Sequence, residues 1–128
     1  MISVVFAGRD REVFVNIEKA LMEAPVEIEW TDSGKSVLTL LSKKAGSKPV
    51  DLVITDEILP DMDGRKLVEN VITQSPFTNC VAISSLSHKN FHNTFEGLGA
   101  LMQLPLKPSL EDGKKLLDLI KKVINLTT

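Results

Sequence analysis

Asp56 has the setting in this chain that most suggests chemistry. It follows the apolar, β-branched run Leu52-Val53-Ile54-Thr55 and precedes the turn-rich segment Glu57-Ile58-Leu59-Pro60-Asp61-Met62-Asp63-Gly64. A short β-branched run bounded by turn residues reads as a buried strand. Asp56 therefore stands at a strand's carboxyl end, where an open α/β sheet gathers its ligands. A carboxylate in that position can attack phosphorus in line and become an acyl phosphate. It can also serve as a hard oxygen ligand for a cation such as Mg²⁺. Other candidates are weaker. His88 and His92 can share a helical face, but no clear third metal ligand accompanies them, and they read as solvated helix histidines. Cys80, at the start of an apolar run, reads as a small core residue.

Alternating strand and helix signals supply the frame for Asp56. Residues 2–7 form a first apolar strand. Asp10 can cap the following helix, where Val13, Phe14, Ile17, Ala20, Leu21 and Ala24 recur at steps of three and four until Pro25 stops it. Residues 26–30 alternate apolar and acidic, a strand with one wetter face, as at a sheet edge. Ser33-Gly34 opens a helix through Val37, Leu38, Leu41 and Ala45, ended by Gly46. A third strand spans 50–55, and a helix from 64 to about 75 turns Leu67, Val68, Val71 and Ile72 inward. The fourth strand is 80–84, followed by a helix from 87 to about 97 carrying Phe91 and Phe95, with Leu98 beyond. A short strand over 100–104 comes next, and Pro105 beside it suits an edge. Ser109 then caps a last helix, with Asp112 three residues on as in a capping box; its expected buried stripe is Leu110, Leu116, Leu117, Ile120, Val123 and Ile124.

Strict alternation implies an α/β fold with a parallel sheet covered on both faces and right-handed crossovers. The flavodoxin-like (βα)5 three-layer sandwich orders its five strands 2-1-3-4-5, with the switch point between strands one and three. That order brings Gly8-Arg9-Asp10 beside Asp56 and makes strands two and five the edges, in agreement with both local signals.

The chain has 128 residues, 15 basic and 17 acidic, for a net charge of −2. This suits one domain over 1–128 with a core of its own. No basic excess argues for nucleic-acid binding. The single Cys80 cannot form an internal disulfide. No signal core opens the chain and no apolar run reaches membrane-spanning length. The expectation is a cytoplasmic domain without repeats, linkers or low-complexity tracts.

The segment around Asp56 resembles the phosphoacceptor segment of two-component response-regulator receiver domains, whose pattern is Asp-x-x-Met/Leu-Pro-x-Met-Asp-Gly. The resemblance runs along the chain: Thr31-x-x-Gly34 after strand two, Ser84 ending strand four, Gly99-Ala100 before strand five and Lys107-Pro108 after it. It implies that Asp56 is the phosphoacceptor, that Lys107 neutralises phosphoryl charge and that the Ser84 hydroxyl donates to a phosphoryl oxygen. It also implies an Mg²⁺ site using Asp56 and the backbone carbonyl of Ile58. In the family the Lys-Pro bond is usually cis, which would aim Lys107 inward. A competing motif, the Asp-x-Asp-Gly of haloacid-dehalogenase-type phosphatases, matches Asp61-Met62-Asp63-Gly64 only superficially, because there the first acid ends a strand. Asp63-Gly64 reads better as a turn and helix start.

Two departures qualify the resemblance. The family carries acids directly after strand one, and Gly8, Arg9 and Asp10 occupy those positions here. Asp10 is left to complete a weakened metal site with Asp56 and Ile58. Arg9 can pair bidentately with Asp56 and depress its pKa, stand in for the metal as an arginine finger does, or remain a plain surface cation. The second departure concerns readout: the family often carries an aromatic three residues before the Lys, but Leu104 is there, or Gln103 if Pro105 forces a bulge, and the chain has no Tyr. Any switching would then have to run from Ser84 through another two-state element.

The leading expectation is a phosphoacceptor receiver, with a histidine kinase or phosphotransfer protein as donor, a downstream protein as target, and no enzymatic activity beyond self-phosphorylation at Asp56. Mg²⁺ would assist where it binds. A homodimer through the fourth and fifth helices with strand five, a surface receivers commonly use, stays open. The chain ends soon after the last helix, as in a stand-alone receiver or a fragment of a longer regulator. The rival reading is a pseudo-receiver, an interaction module that signals without phosphate. A small hydrolase using Asp56 as nucleophile is a third. Lys114, Lys115, Lys121 and Lys122 read as a solvated face of the last helix.

Overall fold

The computed structural model describes residues 1–124; residues 125–128 of the expected unit lie outside them. Five parallel strands form one sheet: β1 (Ile2–Ala7), β2 (Val26–Thr31), β3 (Leu52–Thr55), β4 (Asn79–Ile83) and β5 (Met102–Leu104), in the order β2-β1-β3-β4-β5. Five α-helices connect and cover them: α1 (Val15–Leu21), α2 (Gly34–Lys44), α3 (Gly64–Gln74), α4 (His88–Thr94) and α5 (Leu110–Ile124). This is the flavodoxin-like sandwich expected from the alternation. Parallel pairing requires a crossover between successive strands, and each crossover helix buries one sheet face. β1 and β3 are buried throughout, whereas every residue of β2 is only half-buried, as its edge position dictates.

The sheet divides the core in two. On one face Val4, Phe6, Leu52, Ile54 and Val81 pack against Ile17 and Leu21 of α1 and Leu116, Leu117 and Ile120 of α5. On the other, Val5, Ala7, Val53, Cys80 and Ala82 meet Val37 and Leu41 of α2, Leu67, Val68 and Val71 of α3, and the stacked pair Phe91–Phe95. Burial pushes the Cys80 thiol up to about 12, so it packs as an inert small apolar group. No helix among the described residues is long and apolar enough to cross a membrane.

The element starts follow their capping residues. Asp10 accepts the Glu12 N–H at 3.0 Å and opens a 3-10 turn, Arg11–Phe14, ahead of α1. Ser33, Asp63 and Ser87 each accept a backbone N–H three residues on, at the heads of α2, α3 and α4. Ser109 and Asp112 exchange hydrogen bonds as a capping box before α5.

Several boundaries and faces differ from the sequence expectation. Gly46 does not end α2 in a left-handed conformation; only Gly97 and Gly99 have positive φ among the described residues, and a turn from Ser47 N–H to Lys44 O closes the helix. β5 begins at Met102, just after the Leu101 N–H bond to Cys80 O. β3 begins at Leu52 and β4 spans Asn79–Ile83, so Ser84 lies one residue past its strand. Leu110 and Val123 are exposed rather than part of the buried stripe of α5. With about 3.6 residues per turn, both fall at the edges of the face that α5 buries through Gly113, Leu116, Leu117 and Ile120.

α5 packs against α1 at Gly113. A Cβ there would fall 2.7 Å from Ala20 Cβ and 3.0 Å from Asn16 O. Gly113→Ala gains helix propensity of about 1 kcal/mol but overpacks a rigid contact at about 1–3 kcal/mol; its urea midpoint should fall. Gly46→Ala, with open space around the added methyl, should hold or raise that midpoint. The reverse order would refute this packing account.

Asp61 ties the loop after β3 to α2. Its carboxylate accepts the Gly34 and Lys35 N–H groups, each at 2.9 Å. The Gly34 bond first, then that of Lys35, holds its pKa below the ordinary 3.8. A depressed folded pKa means that the contribution is present above the unfolded value and is lost as pH falls through the folded one. The Gly34 and Lys35 amide NMR shifts should therefore titrate with a midpoint under the ordinary value. Asp61→Asn should lower stability at neutral pH, with the deficit closing in acid.

Candidate functional site

The carboxyl end of β3 presents Asp56. Its N–H donates to Ala7 O at 2.8 Å, which continues the β1–β3 pairing one residue past the strand. Its Oδ1 accepts the Glu57 N–H at 2.7 Å, so the carboxylate is held by the backbone that follows it. Residues 57–64 close on themselves: Gly64 N–H donates to Glu57 O at 2.8 Å, Leu59 N–H to Met62 O at 2.9 Å, and Ile58 bridges Asp63. Gly64 is required for this approach, because a Cβ there would lie 2.6 Å from the Asp56 carbonyl oxygen. The Ile58 carbonyl takes no part in those bonds, and Ile58 is 72% exposed.

The switch point does bring residue 8 to Asp56. A Cβ on Gly8 would lie 3.4 Å from Asp56 Cβ, but only 2.6 Å from Phe14 Cε2. Phe14 is fully buried and packs against Phe6 and Trp30, with ring centroids 4.9 and 5.9 Å away. Arg11 lies over the Trp30 ring, 4.8 Å from its centroid. An aromatic cluster thus occupies the space that an acidic side chain at position 8 would need.

Arg9 does not pair with Asp56: no ion pair within 4.0 Å joins them among the described residues. Arg9 is exposed and lines a hollow with Gly8, Arg11, and Trp30 and Thr31 of β2. Exposure removes the incentive for a fixed pair, since holding a long side chain in water costs about what the pair returns. Asp10 is also exposed, with its carboxylate engaged in capping the 3-10 turn. No group of three acidic, histidine or cysteine side chains gathers for a metal among the described residues. The donor set is therefore poor for Mg²⁺: Asp56 supplies a carboxylate, Gly8 supplies no side chain, and Arg9 is a cation.

Ser84 is buried past the end of β4, where its N–H donates to Leu104 O and its Oγ accepts the Leu86 N–H at 3.1 Å. Ser84 and Glu57 line one small hollow with Gly64. Lys107 is exposed and makes no ion pair among the described residues. The peptide bonds there are all trans, Lys107–Pro108 included, contrary to the cis bond implied by resemblance; trans is the lower-energy form even before proline, by about 0.5–1 kcal/mol. Leu104 is fully buried, and Gln103 Nε2 donates to Leu86 O at 2.8 Å. His88 and His92 are exposed on α4, as are the four lysines of α5.

The sequence reading missed what Glu57 does. Its Oε2 accepts the Ser85 N–H at 2.6 Å, and the Ser85 hydroxyl donates to Oε2 at 2.8 Å and to Oε1 at 3.1 Å. These bonds join the loops after β3 and β4 beside Asp56. An acid next to a turn and a serine 28 residues away carry no local pattern, so only the fold reveals the contact.

Known proteins share this fold. The sequence profile for "Response regulator receiver domain" matches residues 9–121. No curated protein matches the chain in sequence. Among solved structures, a response regulator receiver domain protein from Clostridium thermocellum is similar, with TM-score 0.77 and 18% identity over 98% of this chain and 95% of that one. The chemotaxis response regulator CheY4 of Vibrio cholerae gives TM-score 0.75 and 22% identity over 94% and 98%. The signal receiver domain of an HD domain-containing protein from Pseudomonas fluorescens gives TM-score 0.77 and 20% identity over 97% and 87%. With the parallel order β2-β1-β3-β4-β5, an aspartate ending β3 and a profile match across most of its length, this chain belongs to the family of response regulator receiver domains.

Proposed function

We propose that this receiver takes a phosphoryl group on Asp56 from a phosphohistidine of a histidine kinase or phosphotransfer protein, and passes the signal to a downstream protein. The observation that carries this reading is the position of Asp56: a carboxylate at the end of the central strand β3, at the switch point, beside the buried hydroxyl of Ser84 at the end of the neighbouring strand. In the transfer, an Asp56 oxygen forms a bond to phosphorus while the P–N bond to the donor imidazole breaks. The imidazole keeps the electron pair and takes up a proton. No redox change occurs. Positioning of the nucleophile is supplied by the Glu57 N–H on Oδ1. Lys107, on a flexible exposed stem, offers a point charge to the new phosphoryl oxygens, and the Ser84 O–H offers a donor. The chemistry is self-modification, not turnover. The donor set fits Mg²⁺ poorly.

A second reading, the pseudo-receiver, is favoured by Gly8 and Phe14: the aromatic packing that closes position 8 removes a metal carboxylate without touching the fold. Intact-mass spectrometry after incubation with acetyl phosphate, with and without Mg²⁺, separates the two. A single phosphoryl adduct on wild type that vanishes in Asp56→Asn is the expected result. No adduct from acetyl phosphate or from any phosphohistidine donor tested would turn the assignment to the pseudo-receiver.

The metal account has its own test. Arg9 is exposed, so Arg9→Asp should fold as wild type and gain Mg²⁺ affinity by calorimetric titration. Gly8→Asp must displace Phe14, and should lose about 1–3 kcal/mol of stability, the usual cost of overpacking. Flat Mg²⁺ binding in Arg9→Asp would overturn the view that lost acids weaken this site.

A further inference from the structure

We propose that Glu57 is a charge-sensing latch: its carboxylate holds the Ser84–Ser85–Leu86 turn in place while Asp56 is unmodified, and lets that turn go when Asp56 carries a phosphoryl group. The proposal rests on Asp56 being a phosphoacceptor and concerns how such a site is read.

The turn after β4 is held from three directions. Glu57 receives the Ser85 N–H and hydroxyl from the β3 side. Gln103 Nε2 donates to Leu86 O from the β5 side. Within the turn, Ser84 Oγ accepts the Leu86 N–H. The Ser84 N–H, bonded to Leu104 O, is the last backbone tie to β5 before the turn. Of these restraints, only the Glu57 bonds depend on a full negative charge. Bonds to an ionised acceptor are about twice as strong as neutral ones, so Glu57 dominates the hold.

Glu57 is also the residue covalently next to Asp56, and its N–H is the donor on Asp56 Oδ1. Phosphorylation turns a carboxylate of charge −1 into an acyl phosphate of about −2. The added charge appears beside the Glu57 carboxylate and disfavours keeping a second anion near it. That repulsion weakens the Glu57–Ser85 contact. Ser85 is exposed and Glu57 half-exposed, so water replaces the freed partners when the latch releases. Sterically, the swing of an aromatic ring is not available to this chain: Leu104 is fully buried and paired with Ile83, and the sequence has no Tyr. A hydrogen-bonded turn is the two-state element that remains next to Ser84.

Glu57 is thus a positioning residue acting through Ser85. The test is hydrogen exchange of the Ser85 amide by NMR, together with intact mass, in wild type, Glu57→Gln and Asp56→Asn, before and after acetyl phosphate. In unmodified protein, Glu57→Gln should exchange Ser85 at least about tenfold faster than wild type, as expected for losing one charge-assisted hydrogen bond. On phosphorylation, the wild-type Ser85 amide should lose protection by a similar factor, and Asp56→Asn should not respond. A merely structural contact would move in the variant but stay fixed on phosphorylation. An adduct with unchanged Ser85 protection overturns the latch and leaves the phosphoacceptor reading standing. No adduct on wild type overturns that reading and the sensor with it. Equal Ser85 exchange in unmodified wild type and Glu57→Gln overturns the contact itself.

Discussion

The backbone carbonyl of Asp56 and the α-carbon of Gly64 approach so closely that no side chain fits between them. Much of the site depends on this contact. It lets the loop after β3 fold back so that Gly64 donates to Glu57 O and Asp63 caps α3 directly beneath the strand end. With the loop closed, Asp61 reaches α2 and Glu57 turns toward β4. Any residue larger than glycine would push α3 away from β3 and separate Asp56 from both neighbours. The loop is short and internally bonded, so its polar groups need no covering layer, and the carboxyl end of the sheet stays open above Asp56.

A competing constraint acts on the other side of the switch point. The space above β1 is contested between metal-binding acids and apolar packing, and here packing has it. Phe14 fills the volume next to Gly8, Phe6 and Trp30 extend the cluster, and Arg11 covers the indole. Aromatic pairs contribute about 0.5–1.5 kcal/mol beyond their buried area, whereas an acid beside Asp56 would add a second like charge. Stability and metal affinity therefore pull in opposite directions at this position. The structure has the stable arrangement and an exposed cation, Arg9, that makes no ion pair with Asp56 among the described residues.

The fold was legible because its signals are local and repeated. The period-two and period-3.6 patterns, the caps Asp10, Ser33, Asp63 and Ser109, and the half-exposed β2 each point to the same sandwich. Asp56 was legible because one short segment carries both its strand and its turn. What escaped the sequence is what depends on geometry between elements. The exposure of Leu110 and Val123, at the edges of the α5 stripe, depends on how much of that helix face its neighbours cover. Gly46 looked like a left-handed stop, but a turn satisfies the last carbonyls without one. The closure of position 8 by Phe14 and the Glu57–Ser85 contact join residues with no shared sequence pattern.

These two cross-element contacts suggest why a chain with altered acids and no tyrosine can retain Asp56, Ser84 and Lys107 at the usual strand ends. A receiver must couple a small change at one carboxylate to a larger change at a surface. That requires an element with two arrangements of nearly equal energy, not a particular residue type. A buried aromatic can serve, and so can a solvent-exposed turn held by a single charged acceptor. The turn has a further physical consequence. Its hold comes from one anionic acceptor, so it responds to charge placed beside that acceptor, whereas a packed aromatic responds to shape. A switch built on Glu57 and Ser85 would thus trade robustness for sensitivity to the charge placed beside it.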